Sequence, residues 1–331
     1  MNHARANKIT GMLCIWLWAC LLATGAARGD ASVSVDFLPQ WSPQSQFAGY
    51  YVADAKGFYE RRGLRVKVVR GGPDRPAGAY LANRRVTFTT LFLTEGIALR
   101  DQGVPLVNIG QIVQRSALML VARKKSGIRN PDDLDGRRVS VWDEFRLQPL
   151  AFFRQNHLSV SLVPQGYTPN LFLMGGVDAA SAMWYNEYHV ILNSGIDADE
   201  LSTFLLADYG FNFPEDGIYC LEETLDGKPE AVRAFVQGSI EGWRYTFDHP
   251  EEALAIVMAS VDAANLPTNR VHQRWMLARM GDIICPGGNC DDLGKLNEAN
   301  YLFVGRQLRG NGIIQAIPDY QEFYDPRHAT P

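Results

Sequence analysis

Apolar residues along the chain follow two periods, one typical of strands and one typical of helices. Alternating apolar positions at residues 33–37 predict a strand, and the polar stretch at 42–46 ends it. Apolar positions within residues 47–59 then recur at helical spacing. This strand, loop and helix order recurs along the first two thirds of the chain. It predicts an α/β fold in which parallel strands are joined by right-handed crossovers.

The alternation continues in two units. Further strands of the first unit are predicted at residues 64–69, 86–90 and 104–112. A long strand at 118–122 leaves this unit, and a fresh strand at 139–142 opens the second. Residues 217–221 are typical of a second crossing strand, and the pattern beyond residue 229 is mainly helical. We therefore expect the last third of the chain to pack helices onto the first unit.

Two loops that follow predicted strands carry aromatic and hydroxyl side chains. Trp41 and Phe47 follow the first strand, and Thr89, Thr90 and Phe92 follow the third. Ligands bind at the carboxyl ends of strands in open α/β sheets, because helix N–H groups and loop side chains converge there. The pattern indicates an aromatic-walled pocket for a small molecule. The alternative is that the two rings of the first loop only cover the edge of the sheet.

The first thirty residues have the order of a secretory signal. Basic residues precede an apolar run at 12–23, and small residues follow at 24–29. The run is shorter than the ~20 residues that a spanning helix needs. We expect residues 1–29 to be a signal peptide, cleaved near residues 26–27, and the protein to be exported. Anchoring as a lipoprotein through Cys20 is the less favoured alternative.

Composition limits the function classes. At 331 residues and 47% hydrophobic content, the chain is long enough for two domains. It has 32 basic and 36 acidic residues, a net charge of −4, so it offers no general footprint for nucleic acid. Cys285 and Cys290 enclose a short turn and are candidates for a disulfide, whereas a metal site there lacks further ligands. Cys220 is expected to be buried as a small hydrophobic residue.

Several motifs occur in order along the chain. They are Trp41-x-Pro43 with Phe47-x-Gly49-x-Tyr51, Lys56-Gly57-Phe-Tyr59-Glu with Gly63-Leu64, Asn130-Pro-Asp-Asp-Leu134-Asp-Gly136, Val177-Asp178-Ala179, and Lys228-Pro229-Glu with Pro250-Glu251-Glu252-Ala253. Together these motifs resemble a known family, the type II periplasmic solute-binding proteins related to thiamine-pyrimidine synthase. The resemblance covers nearly all of the chain after the leader. That family includes receptors for thiamine-precursor pyrimidines and for alkanesulfonates.

The resemblance implies an α/β, two-lobed type II periplasmic-binding-protein fold with two crossing strands at the hinge. Lobe one would comprise residues 32–114 and 220–331, and lobe two residues 116–219. The resemblance implies a periplasmic, monomeric protein that presents a small molecule to an inner-membrane ABC permease. A thiamine-precursor pyrimidine is the leading ligand. An alkanesulfonate and a flavin are the alternative ligands.

The resemblance also implies which residues face the cleft. From lobe one these are Trp41, Gln46, Phe47, Thr89, Thr90 and Phe92; from lobe two they are Trp142, Asp143, Tyr185, Asn186 and Glu187. Glu187 and Asn186 suit the amine and ring nitrogen of a pyrimidine, and the rings suit stacking on a flat heterocycle. The other interpretation of Glu187 is a helix N-terminal carboxylate, stabilised by the helix dipole.

The synthase branch of the same superfamily is an enzyme that uses a Lys-x-x-x-His pair, pyridoxal phosphate and a cysteine-rich motif. Alignment places Leu91 and Glu95 at the lysine and histidine, and residues 210–214 at the cysteine motif contain no thiol. Leu91 cannot form a Schiff base. We therefore expect no enzyme activity and no cofactor. A pyrimidine-forming enzyme and a ligand-sensing partner of a membrane signalling protein are the alternative functions.

Overall fold

The structure, a computed structural model, describes residues 32–328. The predicted signal peptide and the lipoprotein alternative at Cys20 lie outside the described residues. Within the described part, no helix combines the length and the apolar character needed to cross a bilayer. The described chain is built around two five-stranded sheets.

The first sheet has the strand order β2-β1-β3-β10-β4. Its strands are β1 (Val33–Leu38), β2 (Leu64–Val68), β3 (Phe88–Phe92), β4 (Leu106–Gln111) and β10 (Asp216–Leu221). β1 pairs in parallel with β2 and β3, and β10 runs antiparallel to β3 and β4. β1, β2 and β3 therefore form the parallel unit that the sequence predicts.

The second sheet repeats this plan with the order β7-β6-β8-β5-β9. Its strands are β5 (Leu118–Arg123), β6 (Arg138–Val141), β7 (Ser161–Pro164), β8 (Ala179–Met183) and β9 (Leu201–Leu205). β6 pairs in parallel with β7 and β8, whereas β5 runs antiparallel to β8 and β9. The two sheets and their helices form the two lobes of the expected α/β fold.

The chain passes between the sheets twice, through residues 112–117 and 206–215. Each predicted crossing strand instead directly follows one of these segments, since β5 belongs wholly to the second sheet and β10 wholly to the first. Residues 216–219, expected in lobe two, pair with β3. The physical reason is that 216–221 is one continuous buried strand, and its backbone groups are satisfied by neighbours on both sides.

Helices cover both sheets. They are α1 (Ala48–Ala55), α2 (Ala77–Ala82), α3 (Leu93–Asp101), α4 (Leu147–Gln155), α5 (Asn170–Leu173), α6 (Glu187–Asn193), α7 (Glu222–Gly227), α8 (Pro229–Asp248), α9 (Pro250–Ala263), α10 (Arg270–Ile284), α11 (Glu298–Gly310) and α12 (Tyr320–Phe323). Pro229 begins α8, where its missing N–H costs no hydrogen bond. One face of α8 is buried on the first sheet, and Phe235 stacks on Phe88 with ring centroids 4.3 Å apart.

Helix α10 contacts both lobes. The Gln273 side chain accepts a hydrogen bond of 2.7 Å from the backbone N–H of Ser45, in the loop after β1. The Trp275 indole donates one of 3.1 Å to the carbonyl of Trp184, in the loop after β8. The helical C-terminal third therefore packs onto the first lobe, as expected, and also reaches the second.

The structure pairs Cys285 with Cys290 as a disulfide and leaves Cys220 free and buried. Only five positions separate the two cysteines, so the bond restricts a short loop.

We expect reduction of this disulfide to lower the free energy of unfolding by at most about 2 kcal/mol and the melting temperature by a few degrees. Thermal unfolding with and without dithiothreitol measures this shift. A Cys285→Ser/Cys290→Ser double variant should be insensitive to the reductant, and an equal shift in that variant would contradict the assignment.

Candidate functional site

Loops at the carboxyl ends of the parallel strands of both sheets meet in one interlobe cleft. Trp41, after β1, contacts Tyr167, after β7, with ring centroids 5.8 Å apart. Phe92, at the end of β3, contacts Phe145, after β6, at 5.0 Å. In each sheet, the carboxyl ends of the parallel strands form the edge where ligands usually bind. Aromatic rings of the opposite lobe cover this edge.

The predicted residues of the first lobe divide into cleft and core. Trp41 and Phe92 are half-buried at the interlobe contacts. Phe47 is fully buried in the main hydrophobic core, and the Thr89 hydroxyl donates to the carbonyl of Leu38. These two side chains are therefore engaged inside the lobe. The cleft prediction for them has no geometric support.

Gln46 and Thr90 fix the shape of the loop after β1, which the sequence predicts to be the first binding loop. The Gln46 amide donates 2.8 Å to Oδ2 of Asp216, and the Gln40 amide donates to Oδ1 of the same carboxylate. The Thr90 hydroxyl oxygen accepts 3.0 Å from the backbone N–H of Gln40. The loop is therefore held to β3 and β10 through side chains rather than through a regular turn.

In the second lobe, Trp142 packs beside the interlobe ring of Phe145, and Asp143 pairs within its own loop. Trp142 is 6% exposed, its indole donates 2.9 Å to the carbonyl of Gly166, and its ring meets that of Phe145 edge-on at 6.0 Å. Asp143 is exposed and forms an ion pair of 2.9 Å with Arg146 on its own loop. An exposed pair of this kind contributes little energy.

Tyr185, Asn186 and Glu187 lie at the junction of β8 and α6. Glu187 is 8% exposed; its Oε2 accepts 3.0 Å from the backbone N–H of Met183, and its Oε1 accepts 2.7 Å from the Asn186 amide. Burial raises the pKa of Glu187 to about 7. Both carboxylate oxygens thus have partners within the second lobe, which supports the helix N-terminal interpretation.

Three buried carboxyl groups influence the phenol of Tyr185 electrostatically. Burial, followed by the charges of Glu215, Asp216 and Glu187, raises the pKa of Tyr185 well above its usual value. Burial also raises the pKa of Glu215 to about 8 and that of Asp216 to about 7. Among the buried residues of the described range there is no lysine or arginine. The cluster is therefore acidic, and it suits hydrogen-bond donors.

Next to this cluster, a cavity of about 350 Å³ lies between the loop 42–44, helix α6 and the start of α10. Asn186 is the member of the predicted set that lines it. The Asn186 carbonyl contacts Nε2 of His272 at 2.9 Å, while its amide contacts Glu187. Burial and neighbouring His189 lower the pKa of His272 to about 4, so this imidazole is neutral at physiological pH.

Sequence reasoning missed Phe145, Tyr167, Glu215 and Asp216. The two rings follow β6 and β7, so their positions after parallel strands were a usable signal. Glu215 directly precedes β10 and Asp216 is its first residue, and two carboxylates at the start of a buried strand are unusual enough to indicate a specific role. His272 carries no comparable sequence signal, because its partners, His189 in α6 and Asn186 just before that helix, lie 83 and 86 residues earlier.

Two mixed sheets, two connections and an interlobe cleft define the class as a type II periplasmic-binding-protein fold. The chain belongs to the NMT1/THI5-like family, whose match covers residues 44–253. The aliphatic sulphonate binding protein SsuA of Escherichia coli superposes with a TM-score of 0.69 at 16% identity, over 90% of this chain and 94% of that one. At this identity the likeness concerns the fold alone.

Curated relatives include binding proteins and a synthase. The riboflavin-binding protein RibY of Chloroflexus aurantiacus is 27% identical over 68% of this chain and just under two thirds, 65%, of its own length. The formylaminopyrimidine-binding protein of Halalkalibacterium halodurans is 23% identical over 80% of this chain and 82% of its own. The 4-amino-5-hydroxymethyl-2-methylpyrimidine phosphate synthase of Schizosaccharomyces pombe is 22% identical over 34% of this chain and 32% of its own length.

Proposed function

We propose that this protein is an extracytoplasmic solute-binding protein that holds a small aromatic heterocycle between its lobes and delivers it to an inner-membrane ABC permease. A thiamine-precursor pyrimidine is the leading ligand. The proposal includes export to the periplasm and a binding role without catalysis. It takes the lobes to be joined by residues 112–117 and 206–215, with closure driven by ligand.

The observation that carries the proposal is the meeting of aromatic rings from both lobes. Trp41 with Tyr167, and Phe92 with Phe145, form two interlobe pairs at the carboxyl ends of the strands. A planar ligand inserted between such rings replaces ring–ring contacts with stacking on its own faces, worth ~0.5–1.5 kcal/mol per ring beyond area burial. Relatives that bind a pyrimidine and a flavin support a flat, nitrogen-containing guest.

The charge of the site disfavours an alkanesulfonate. Glu187, Glu215 and Asp216 are buried near the cleft, and no lysine or arginine is buried in the described part of the chain. A sulfonate would lose its hydration without gaining a cationic partner. The carboxylates instead favour amino groups and protonated ring nitrogens.

The synthase alternative lacks its chemistry. Leu91, at the position aligned with the synthase lysine, is fully buried in β3 and carries no amine for a Schiff base. Residues 210–214 contain no thiol. An absorbance scan of purified protein incubated with pyridoxal phosphate tests this directly, and a Schiff-base band lost on reduction would favour the enzyme.

A thermal-shift panel of aminopyrimidines, flavins and alkanesulfonates tests the proposed function. A ligand present at 100 times its dissociation constant should stabilise the folded protein by about 2.7 kcal/mol. We expect shifts with nitrogen heterocycles and none with methanesulfonate. A shift with sulfonates alone would overturn the proposed ligand class.

Tyr167→Ala should weaken heterocycle binding without destabilising the fold. Tyr167 is 68% exposed, and its ring contact is with Trp41 across the cleft. Loss of one stacking partner should raise the dissociation constant about threefold to tenfold. Isothermal titration calorimetry measures the change. Met174→Ala, which alters a side chain that is 86% exposed on the same lobe, serves as the control; equal losses in both variants would remove Tyr167 from the site.

A further inference from the structure

Glu215 has a buried carboxylate oxygen without a hydrogen-bond partner. The residue is 3% exposed; its Oε1 accepts 2.6 Å from the backbone N–H of Ala117 and 3.2 Å from the Ser116 hydroxyl. Its Oε2 is buried and accepts from no group in the described range. Leaving such an acceptor unpaired is costly. The oxygen is therefore either protonated or supplied with a donor by a bound molecule.

Glu215 joins both connections between the sheets and lies close to groups of the second lobe. Glu215 ends the second connection between the sheets, and Asp216 begins β10 of the first sheet. From the second lobe, Tyr185 is near enough for the charge of Glu215 to raise the pKa of its phenol. Gln148 of α4 also contacts the Ser116 hydroxyl that Glu215 shares, at 3.0 Å. Glu215 thus lies where the two connections between the sheets meet, beside α4 of the second lobe.

The titratable groups around Glu215 are acidic. Asp216 adjoins it in the chain, and the charges of Glu215, Asp216 and Glu187 all raise the pKa of Tyr185 in the second lobe. Arg115, in the first connection, pairs with Asp208 instead. A ligand anion would meet repulsion here, whereas a ligand N–H would satisfy the open acceptor.

We propose that Oε2 of Glu215 accepts a hydrogen bond from an N–H of the bound ligand. This makes Glu215 a specificity-determining residue that selects heterocycles with an amino group over anions and over analogues lacking the donor. The inference rests on the proposed function and deepens it. In the free protein Glu215 holds a proton near neutral pH, since its pKa is raised to about 8 by burial; this proton passes to solvent when the ligand N–H binds.

Calorimetry with two probes tests the subsite. 4-Amino-2-methylpyrimidine offers an amino N–H, and its 4-dimethylamino analogue has the same ring without that donor. Wild type should prefer the amino probe by about tenfold or more, the usual effect of a hydrogen bond to a charged group. Glu215→Gln keeps an Oε1 acceptor for Ala117 but carries no charge, so it should reduce the preference to less than about threefold. Glu230→Gln, on the exposed face of α8, should retain it.

The pH dependence gives a second readout. Between about pH 7 and about pH 9, the wild-type affinity for the amino probe should rise about tenfold, because the fraction of charged Glu215 rises by that factor around its pKa. Glu215→Gln should lack this rise.

Two failures are distinguishable. If Glu215→Gln keeps both the preference and the pH profile, Glu215 is only structural and the subsite is wrong while the proposed function stands. If no nitrogen heterocycle binds wild type, the proposed function fails, and the subsite with it.

Discussion

Gly242→Ala should destabilise the protein by about 3 kcal/mol or more, at the upper end of overpacking costs. A β-carbon at Gly242 would lie 2.1 Å from the backbone oxygen of Gly49 and 2.8 Å from the β-carbon of Ala53. Backbone cannot move aside as a flexible side chain can, so α1 and α8 would have to separate. Because α1 directly follows the first binding loop, the same change should weaken ligand binding. Urea denaturation followed by circular dichroism measures the loss.

Gly281→Ala is the matched control for this prediction. Gly281 also lies inside a helix, α10, but its added β-carbon would meet only the ring of Phe247 at 3.7 Å, an ordinary contact distance. Replacing a helical glycine by alanine without a clash should stabilise by about 0.5–1 kcal/mol. The two substitutions should therefore have opposite signs. Equal and small effects would show that α1 and α8 are not held at this close distance.

The order of elements could be predicted from sequence because it depends on local periodicity. Alternation in residues 33–37, helical spacing after residue 47 and Pro229 at a helix start are properties of neighbouring residues. The two-lobed class is confirmed by the paired sheets and by the family match. The exact points at which the chain changes lobe were harder to predict. A buried strand such as β10 has the same apolar sequence pattern whether it crosses between the sheets or belongs to one of them.

The interlobe site could be predicted only in part, because its contacts are distant in sequence. Asp216 bonds to Gln46 across 170 positions and to Gln40 across 176, so no local pattern shows that it holds the binding loop. Phe145 and Tyr167 required the knowledge that β6 and β7 are neighbours in the second sheet. The family resemblance implied Trp41 and Phe92, which lie at interlobe ring contacts, and the contributions of both to ligand binding remain predictions.

Unliganded Glu215→Gln should be more stable than wild type at about pH 8 and lose this advantage as the pH falls. Glu215 has a pKa of about 8 in the folded protein, raised by burial from 4.5. Below pH 4.5 the carboxyl is protonated in both the folded and the unfolded protein, so the stability that the neutral group contributes is fully present. Between pH 4.5 and about pH 8, the carboxyl is ionised in the unfolded chain but still protonated in the folded protein. The free energy of unfolding of the wild type therefore falls by about 1.4 kcal/mol per pH unit over this range. The full difference is on the order of 4 kcal/mol.

Urea denaturation of Glu215→Gln and wild type at steps from about pH 5 to about pH 8 measures this divergence. Glutamine keeps the acceptor for Ala117 but cannot ionise, so its curve should be flatter. Glu230→Gln, which alters an exposed carboxylate, should run parallel to wild type. Parallel curves for Glu215→Gln as well would show that the buried carboxyl does not titrate with a raised pKa. If instead the substitution stabilises the free protein while weakening amino-probe binding, Glu215 is retained at a cost in stability because ligand recognition needs its charge.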